Sequence, residues 1–237
     1  MSGGARRLGR LAFRRRPLGT AAACLLSLAA LLAALLICGA PAQQPAPSPA
    51  AGQALSDAAL ISALRLGGCI LVMRHASSPA ALPGKAAEPD NTGGERQLDP
   101  AGRSAARAMG EALRTLRIPI GRVLSSPAYR ARETARLADL GTAEVVAQLD
   151  AGPAAMTQPD SDAARASWLR DQVTMAPPAG ANTLIVTHST NILGAFGERA
   201  AGVDEGEALI FRPAGAGGAS LIARVKIEEW PRLARTH

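Results

Sequence analysis

The sequence holds three histidines, and two of them share a setting. His75 directly follows the apolar run Cys69-Ile-Leu-Val-Met73 and Arg74, and His188 directly follows Thr183-Leu-Ile-Val-Thr187. The third, His237, is the last residue. Short unbroken apolar runs of this kind are the pattern of buried parallel strands. Ligands of open α/β sheets gather at the carboxyl ends of such strands. Arg74 adjoins His75, and Arg130 falls one turn into an expected helix that follows Ser125-Ser126-Pro127. A helix N-terminus favours anions through its free N–H groups and dipole, and an arginine beside it adds a forked donor. Two histidines, two arginines and a helix start converging on one cleft describe a site for a phosphoryl dianion.

Positioning these groups requires alternating strands and helices. Ser56 caps a short helix that ends at Gly67-Gly68, and the run 69–73 is the first strand. Residues 76–97 are polar and rich in Pro, Gly and Asn, a long loop. Asp99-Pro100 opens a helix through Leu116. Arg122–Ser125 is a strand, Pro127–Leu140 a helix, Glu144–Gln148 a weaker strand, and Ser161–Met175 a helix. The strand at 183–187 leads into a helix over 191–201. Residues 208–211 and 220–227 are closing strands joined by a turn at Gly215–Gly218. This order predicts an α/β fold, a three-layer α/β/α sandwich with a mostly parallel central sheet.

Charge and composition restrict the rest. The net charge of +7 looks basic, but six arginines lie within the first sixteen residues, which leaves +1 for the remainder. With 3% aromatics, neither charge nor stacking supports nucleic-acid binding. Residues 1–42 combine that basic start with Leu18–Ala40, which holds no charged residue. This is the pattern of an export signal cut after Ala40-Pro41-Ala42, and its apolar stretch is also long enough for a retained anchor. Both alternatives stand, with Cys38 as a weaker lipoprotein signal, and both place the remainder in the periplasm or otherwise outside the cytoplasm. Residues 43–55 form a Pro/Ala linker, and the folded domain covers 56–237. Cys69 is the single cysteine after the leader, a buried core thiol.

Four segments resemble the histidine phosphatase superfamily, with its phosphoglycerate-mutase-like fold. They are Leu71-Val-Met-Arg-His-Ala76, Arg96-Gln-Leu-Asp-Pro-Ala-Gly102, Val123-Leu-Ser-Ser-Pro-Ala-Tyr-Arg-Ala-Arg-Glu-Thr-Ala135 and Ile185-Val-Thr-His-Ser189. They stand in the family's order, and the small domain is similar to the compact SixA-like phosphohistidine phosphatases. The resemblance implies that His75 is the nucleophile of a phosphomonoesterase and passes through a phosphohistidine. It implies that Arg74, Arg130 and His188 hold the phosphoryl oxygens, and the three can stabilise charge as cations provided His188 is protonated. Charge stabilisation and positioning suffice for this chemistry, so no cofactor is expected. No metal is expected either, because the two histidines lack cysteine partners and the His-Glu-x-x-His spacing.

The sequence departs from the pattern at Ala76, where a glycine is usual, and after His188, where Ser189-Thr190 follow and the His-Asp proton-donor motif of the acid-phosphatase branch is absent. Asp150, at about the family spacing beyond Arg130, is the first candidate for the acid; Glu95 and Glu207 are weaker ones. Arg103 and Arg107, four apart, read as a solvated helix face, Trp168 as core packing and Trp230-Pro231 as a docking C-terminal segment. The expected substrate is a small-molecule or surface-polymer phosphate ester, with inner-membrane anchoring through residues 18–40 as one alternative. A phosphate-binding module without turnover, on the same fold, is the second functional reading, and a structural envelope protein the third.

Overall fold

The computed structural model describes residues 55–84, 87–151, 159–215 and 218–237. The leader expected over 1–42 and all but the last residue of the linker lie outside them. No helix among the described residues is long and apolar enough to cross a membrane.

The chain runs α1 (Asp57–Leu66), β1 (Ile70–Arg74), α2 (Pro100–Thr115), β2 (Ile120–Ser125), α3 (Tyr129–Ala138), β3 (Ala143–Val145), α4 (Pro159–Gln172), β4 (Asn182–Thr187), α5 (Ser189–Phe196), β5 (Ala208–Pro213), β6 (Ala219–Val225) and α6 (Glu229–Thr236). One six-stranded sheet has the order β3-β2-β4-β1-β5-β6. The first four strands in that order are mutually parallel, while β5 runs against β1 and β6 against β5. The expected mostly parallel sheet is therefore present, with the closing hairpin reversed at one side.

Alternation along the strands builds the two core layers, because successive side chains leave opposite faces. Leu71, Met73, Leu184 and Val186 pack with Leu60, Met109, Leu113 and Trp230 on the side of α1, α2 and α6. Ile70, Val72 and Ile185 pack with Leu169, Ile192 and Phe196 on the side of α4 and α5. Trp230 is fully buried, so the C-terminal segment docks as expected, in the form of a helix. Trp168 is partly buried against the second layer, and the Cys69 thiol lies within the first.

Helix boundaries follow local chemistry. Ser56 Oγ accepts from Ala59 N at 3.4 Å, and Asp99 Oδ1 from Gly102 N at 2.6 Å, so α1 and α2 begin where the capping residues stand. Gly102 also lets α2 approach the loop behind His75, since a Cβ there would collide with the Ser77 carbonyl. Four elements differ from expectation: β3 covers Ala143–Val145 and yields to a 3-10 turn over Ala147–Leu149, α4 covers Pro159–Gln172, and two further helices shift. α3 begins at Tyr129, leaving Pro127 outside it, with no side-chain cap bond from Ala128. The helix after β4 starts two residues early and ends at Phe196, where a 3-10 turn over Gly197–Ala200 takes up the rest of the expected span.

Candidate active site

His75 stands just past β1, and its backbone N–H donates to Thr187 O at 3.0 Å, which extends the β1–β4 ladder by one residue. Ser126 is set past β2 in the same way, through Ser126 N to Val186 O at 3.0 Å. His188 follows β4 and precedes α5. Parallel pairing of β2, β4 and β1 thus brings the three strand tips together. Both rings are buried, with centroids 5.3 Å apart.

Arg130 lies between the rings. Its Nε donates to His75 Nε2 at 3.1 Å, and its Nη2 to His188 Nδ1 at 3.0 Å. A guanidinium has no acceptor, so both ring atoms carry lone pairs. The other ring nitrogens carry the protons. His75 Nδ1–H donates to Ala76 O at 2.8 Å, and His188 Nε2–H to Ser126 Oγ at 2.8 Å. The Ala76 peptide is itself held, its N–H donating to Thr134 Oγ1 at 3.1 Å, while Thr134 donates back to Arg130 O at 2.8 Å.

Burial, more than charge, keeps the two imidazoles neutral. His75 is lowered to about 4 first by loss of solvent and then by Arg130, Arg74 and Arg96, with its bond to Ala76 O opposing. His188 is lowered to about 2 by burial, with Arg130 as the largest charge contribution. The condition for a third cation, a protonated His188, is not met in this geometry, where the ring is a neutral acceptor. Arg130 is itself lowered by burial and by Arg96, against the opposing charges of Glu95, Asp150 and Glu205.

Arg74 points away from a simple phosphate-ligand role at two of its nitrogens. Nη1 donates to Val203 O and Nη2 to Glu205 Oε1, each at 3.0 Å. Its Nε is buried with no acceptor among the described residues. Gly206 locks this corner: its N–H faces both Arg74 O (3.1 Å) and His75 O (2.9 Å). Its φ is +77°, on the left-handed side that favours glycine, and a Cβ would meet Ile227 Cγ2 at 2.6 Å.

The candidate acids separate. Glu207 forms a two-pronged pair with Arg224, at 2.7 and 2.9 Å, and so serves the hairpin. Glu95 Oε2 accepts from Tyr129 N at 3.0 Å. The α3 N-terminus expected to receive phosphate is thus capped by a side chain of the first loop. Asp150 closes a 3-10 turn over Ala147–Leu149, and its carbonyl and that of Leu149 lie 3.2 and 2.8 Å from Asn191 Nδ2 on α5. Asp150 is near enough to Arg130 to oppose its shift.

Two contributors escaped sequence reasoning, Arg96 and Glu205, whereas Ser126 stands at a strand tip where a ligand-facing residue was expected. Arg96 is held by Pro79 O at 2.8 Å and Ser78 O at 2.6 Å, with its charge acting on both histidines. Glu205 also accepts from Ser78 N at 3.3 Å. Arg103 is a correction: it does not lie on a solvated face but pairs with buried Glu133 at 2.8 Å and with Glu88 at 3.0 Å. Glu133 accepts Leu98 N at 3.1 Å as well, tying the loop to α3.

Residues 70–152 match the family model of the histidine phosphatase superfamily (branch 1). This matched segment, about a third of the chain, carries Arg74, His75, Arg96 and Arg130 of the site. The architecture is the anticipated α/β fold with a mostly parallel central sheet. His188 lies beyond the matched residues and joins the site through β4. Among solved structures, the protein histidine phosphatase SixA complexed with tungstate is similar at 19% identity, over 68% of this chain and 98% of that one, with a TM-score of 0.49. A phosphoserine phosphatase from Entamoeba histolytica in complex with 3-phosphoglyceric acid is similar at 14% identity, over 66% and 95%, with a TM-score of 0.44. No curated protein matches the sequence.

Proposed function

We propose that the protein is a metal-independent phosphomonoester hydrolase that works through a phosphohistidine on His75. The observation that carries this reading is the tautomer of His75. Its Nδ1–H is committed to Ala76 O, which leaves the Nε2 lone pair facing Arg130 and His188. A neutral imidazole with a directed lone pair is a competent nucleophile.

In the first step the Nε2 lone pair attacks phosphorus as the ester P–O bond breaks. Arg130 turns its N–H groups from the ring nitrogens to the phosphoryl oxygens, joined by Arg74 Nε and Arg96. These fixed cations stabilise the charge spread over the transferring group. The departing oxygen takes a proton from an acid, for which Asp150 is assigned on its position beside Arg130. In the second step water attacks the phosphohistidine and gives a proton to the Asp150 carboxylate, while the P–N bond breaks and its electron pair returns to Nε2. Inorganic phosphate leaves and the resting site is restored.

For substrate, this reading takes a small-molecule or surface-polymer phosphate ester outside the cytoplasm, supported by the basic, uncharged-core pattern of residues 1–42. A compartment-sensitive reporter fused after Gly52 tests the location; a cytoplasmic signal would sink it. The activity is tested by phosphate release from an aryl phosphate, with a chelator present, for the wild type and His75→Ala. Turnover in the first and none in the second is expected. No turnover by folded wild type would leave the phosphate-binding module as the better account.

A further inference from the structure

Ser126 is fully buried at the tip of β2, and nothing in the two-step scheme uses it. Its backbone is fixed by the sheet, through Val186 O. Its hydroxyl oxygen faces two donors, the Ala128 N–H at 3.2 Å and His188 Nε2 at 2.8 Å. The direction of the second bond follows from elimination. Arg130 must donate to His188 Nδ1, so the single proton of the neutral ring sits on Nε2.

We propose that Ser126 is a positioning residue of the phosphatase reaction, holding His188 as its Nε2–H tautomer so that Nδ1 can orient Arg130. The inference rests on the phosphatase reading and extends it from the groups that meet phosphate to the group that aims them. The chain of contacts is continuous: Ser126 fixes the His188 ring, His188 Nδ1 accepts Arg130 Nη2, and Arg130 Nε faces His75 Nε2. Loss of the serine oxygen leaves the Nε2–H buried without its acceptor. The ring can then pair that proton only by turning, which carries Nδ1 away from Arg130 Nη2, and an exchange of tautomer would set a second N–H against the Arg130 donor; either way Arg130 is released. Which nitrogen of a histidine is protonated is set by the bond the other one makes, and a wrong tautomer leaves a site assembled but inactive.

The competing account is that Ser126 only starts α3, by accepting the Ala128 N–H. Ring-nitrogen NMR of 15N-histidine-labelled protein separates the two, read together with kcat and KM on an aryl phosphate. The unmodified protein should show His188 protonated at Nε2. Ser126→Ala should lose that pattern, with kcat reduced roughly ten- to a hundredfold, as for other partners that orient functional histidines, and KM changed much less. Ser126→Thr, which keeps the hydroxyl, should restore both. An Nδ1-protonated His188 in the unmodified protein would overturn the assignment, even where the alanine variant fails to fold. So would a Ser126→Ala protein whose melting temperature falls while tautomer and kcat stay as in wild type. Absence of turnover in the unmodified protein would instead overturn the phosphatase reading itself, while its tautomer could still be read.

Discussion

The strand tips and the first loop supply comparable numbers of polar groups to the site by different means. His75 and Ser126 extend ladders of the sheet, and His188 follows β4 directly, so backbone pairing fixes all three. Glu95 and Arg96 have no strand to place them. Asn91 clamps Glu95 through its N–H and carbonyl at 2.9 and 2.7 Å, and two loop carbonyls hold Arg96. Tyr129 OH adds a bond to Asp90 at 2.6 Å, and buried Glu133 ties Leu98 and Arg103 to α3. The strand tips inherit their geometry from the sheet, whereas the loop must be held by side chains one bond at a time. The chemistry is therefore expected to centre on the tips, with the loop tuning affinity and stability.

Arg130→Ala strikes the tips and should have the largest effect. It removes the one donor shared by both rings, and kcat/KM on an aryl phosphate should fall by about 10³-fold, as for other removed transition-state donors. A loss below tenfold would move the centre of the site away from the tips. Glu133→Ala strikes the tether of the loop. It leaves Arg103 and the Leu98 N–H without their buried acceptor, and unfolding stability should drop by about 3 kcal/mol, the scale for breaking a buried pair. Urea melts read this directly, and a drop within experimental scatter would show the loop to be held by other contacts.

Acidification tests the burial of the tips. His75 and His188 are lowered when folded, so between about 6.5 and about 4 the unfolded chain binds protons that the folded chain refuses. Stability should fall as the pH drops through that window, and the His75 contribution should level off below about 4. A His75→Gln, His188→Gln double variant should have a visibly flatter dependence of melting temperature on pH. Identical slopes for the two proteins would place both rings in water. Arg96→Ala, on the loop, should have the smallest of these effects. Inorganic phosphate, measured as an inhibitor, should bind about tenfold more weakly, the low end for a lost charged hydrogen bond. A loss matching that of Arg130→Ala would erase the distinction between tips and loop.

The same division governs what the sequence revealed. Apolar runs ending in Arg74-His75 and in Thr187-His188 mark strand tips, and sheet topology carries them to one edge. Arg130 was legible because it follows Ser125-Ser126-Pro127 by less than two helical turns. Glu205 and Arg96 were not, because a loop residue's partners lie at no fixed spacing. Glu205 reaches Arg74 across 131 residues, and Arg103 reaches Glu133 across 30. The α3 N-terminus was anticipated as open to phosphate, but a carboxylate from that loop occupies Tyr129 N–H instead. The protonation of His188 was equally hidden, since it depends on burial and on where Arg130 donates.

The central claim is that His75 Nε2 carries the phosphoryl group during turnover. Denaturing quench of the protein during aryl phosphate turnover, followed by peptide mass analysis under alkaline conditions that preserve phosphohistidine, tests it directly. The account predicts a phosphoryl group on His75 that is present during turnover and absent from His75→Ala. Turnover with undiminished rate in His75→Ala, or a phosphoryl group trapped on another residue, would contradict it.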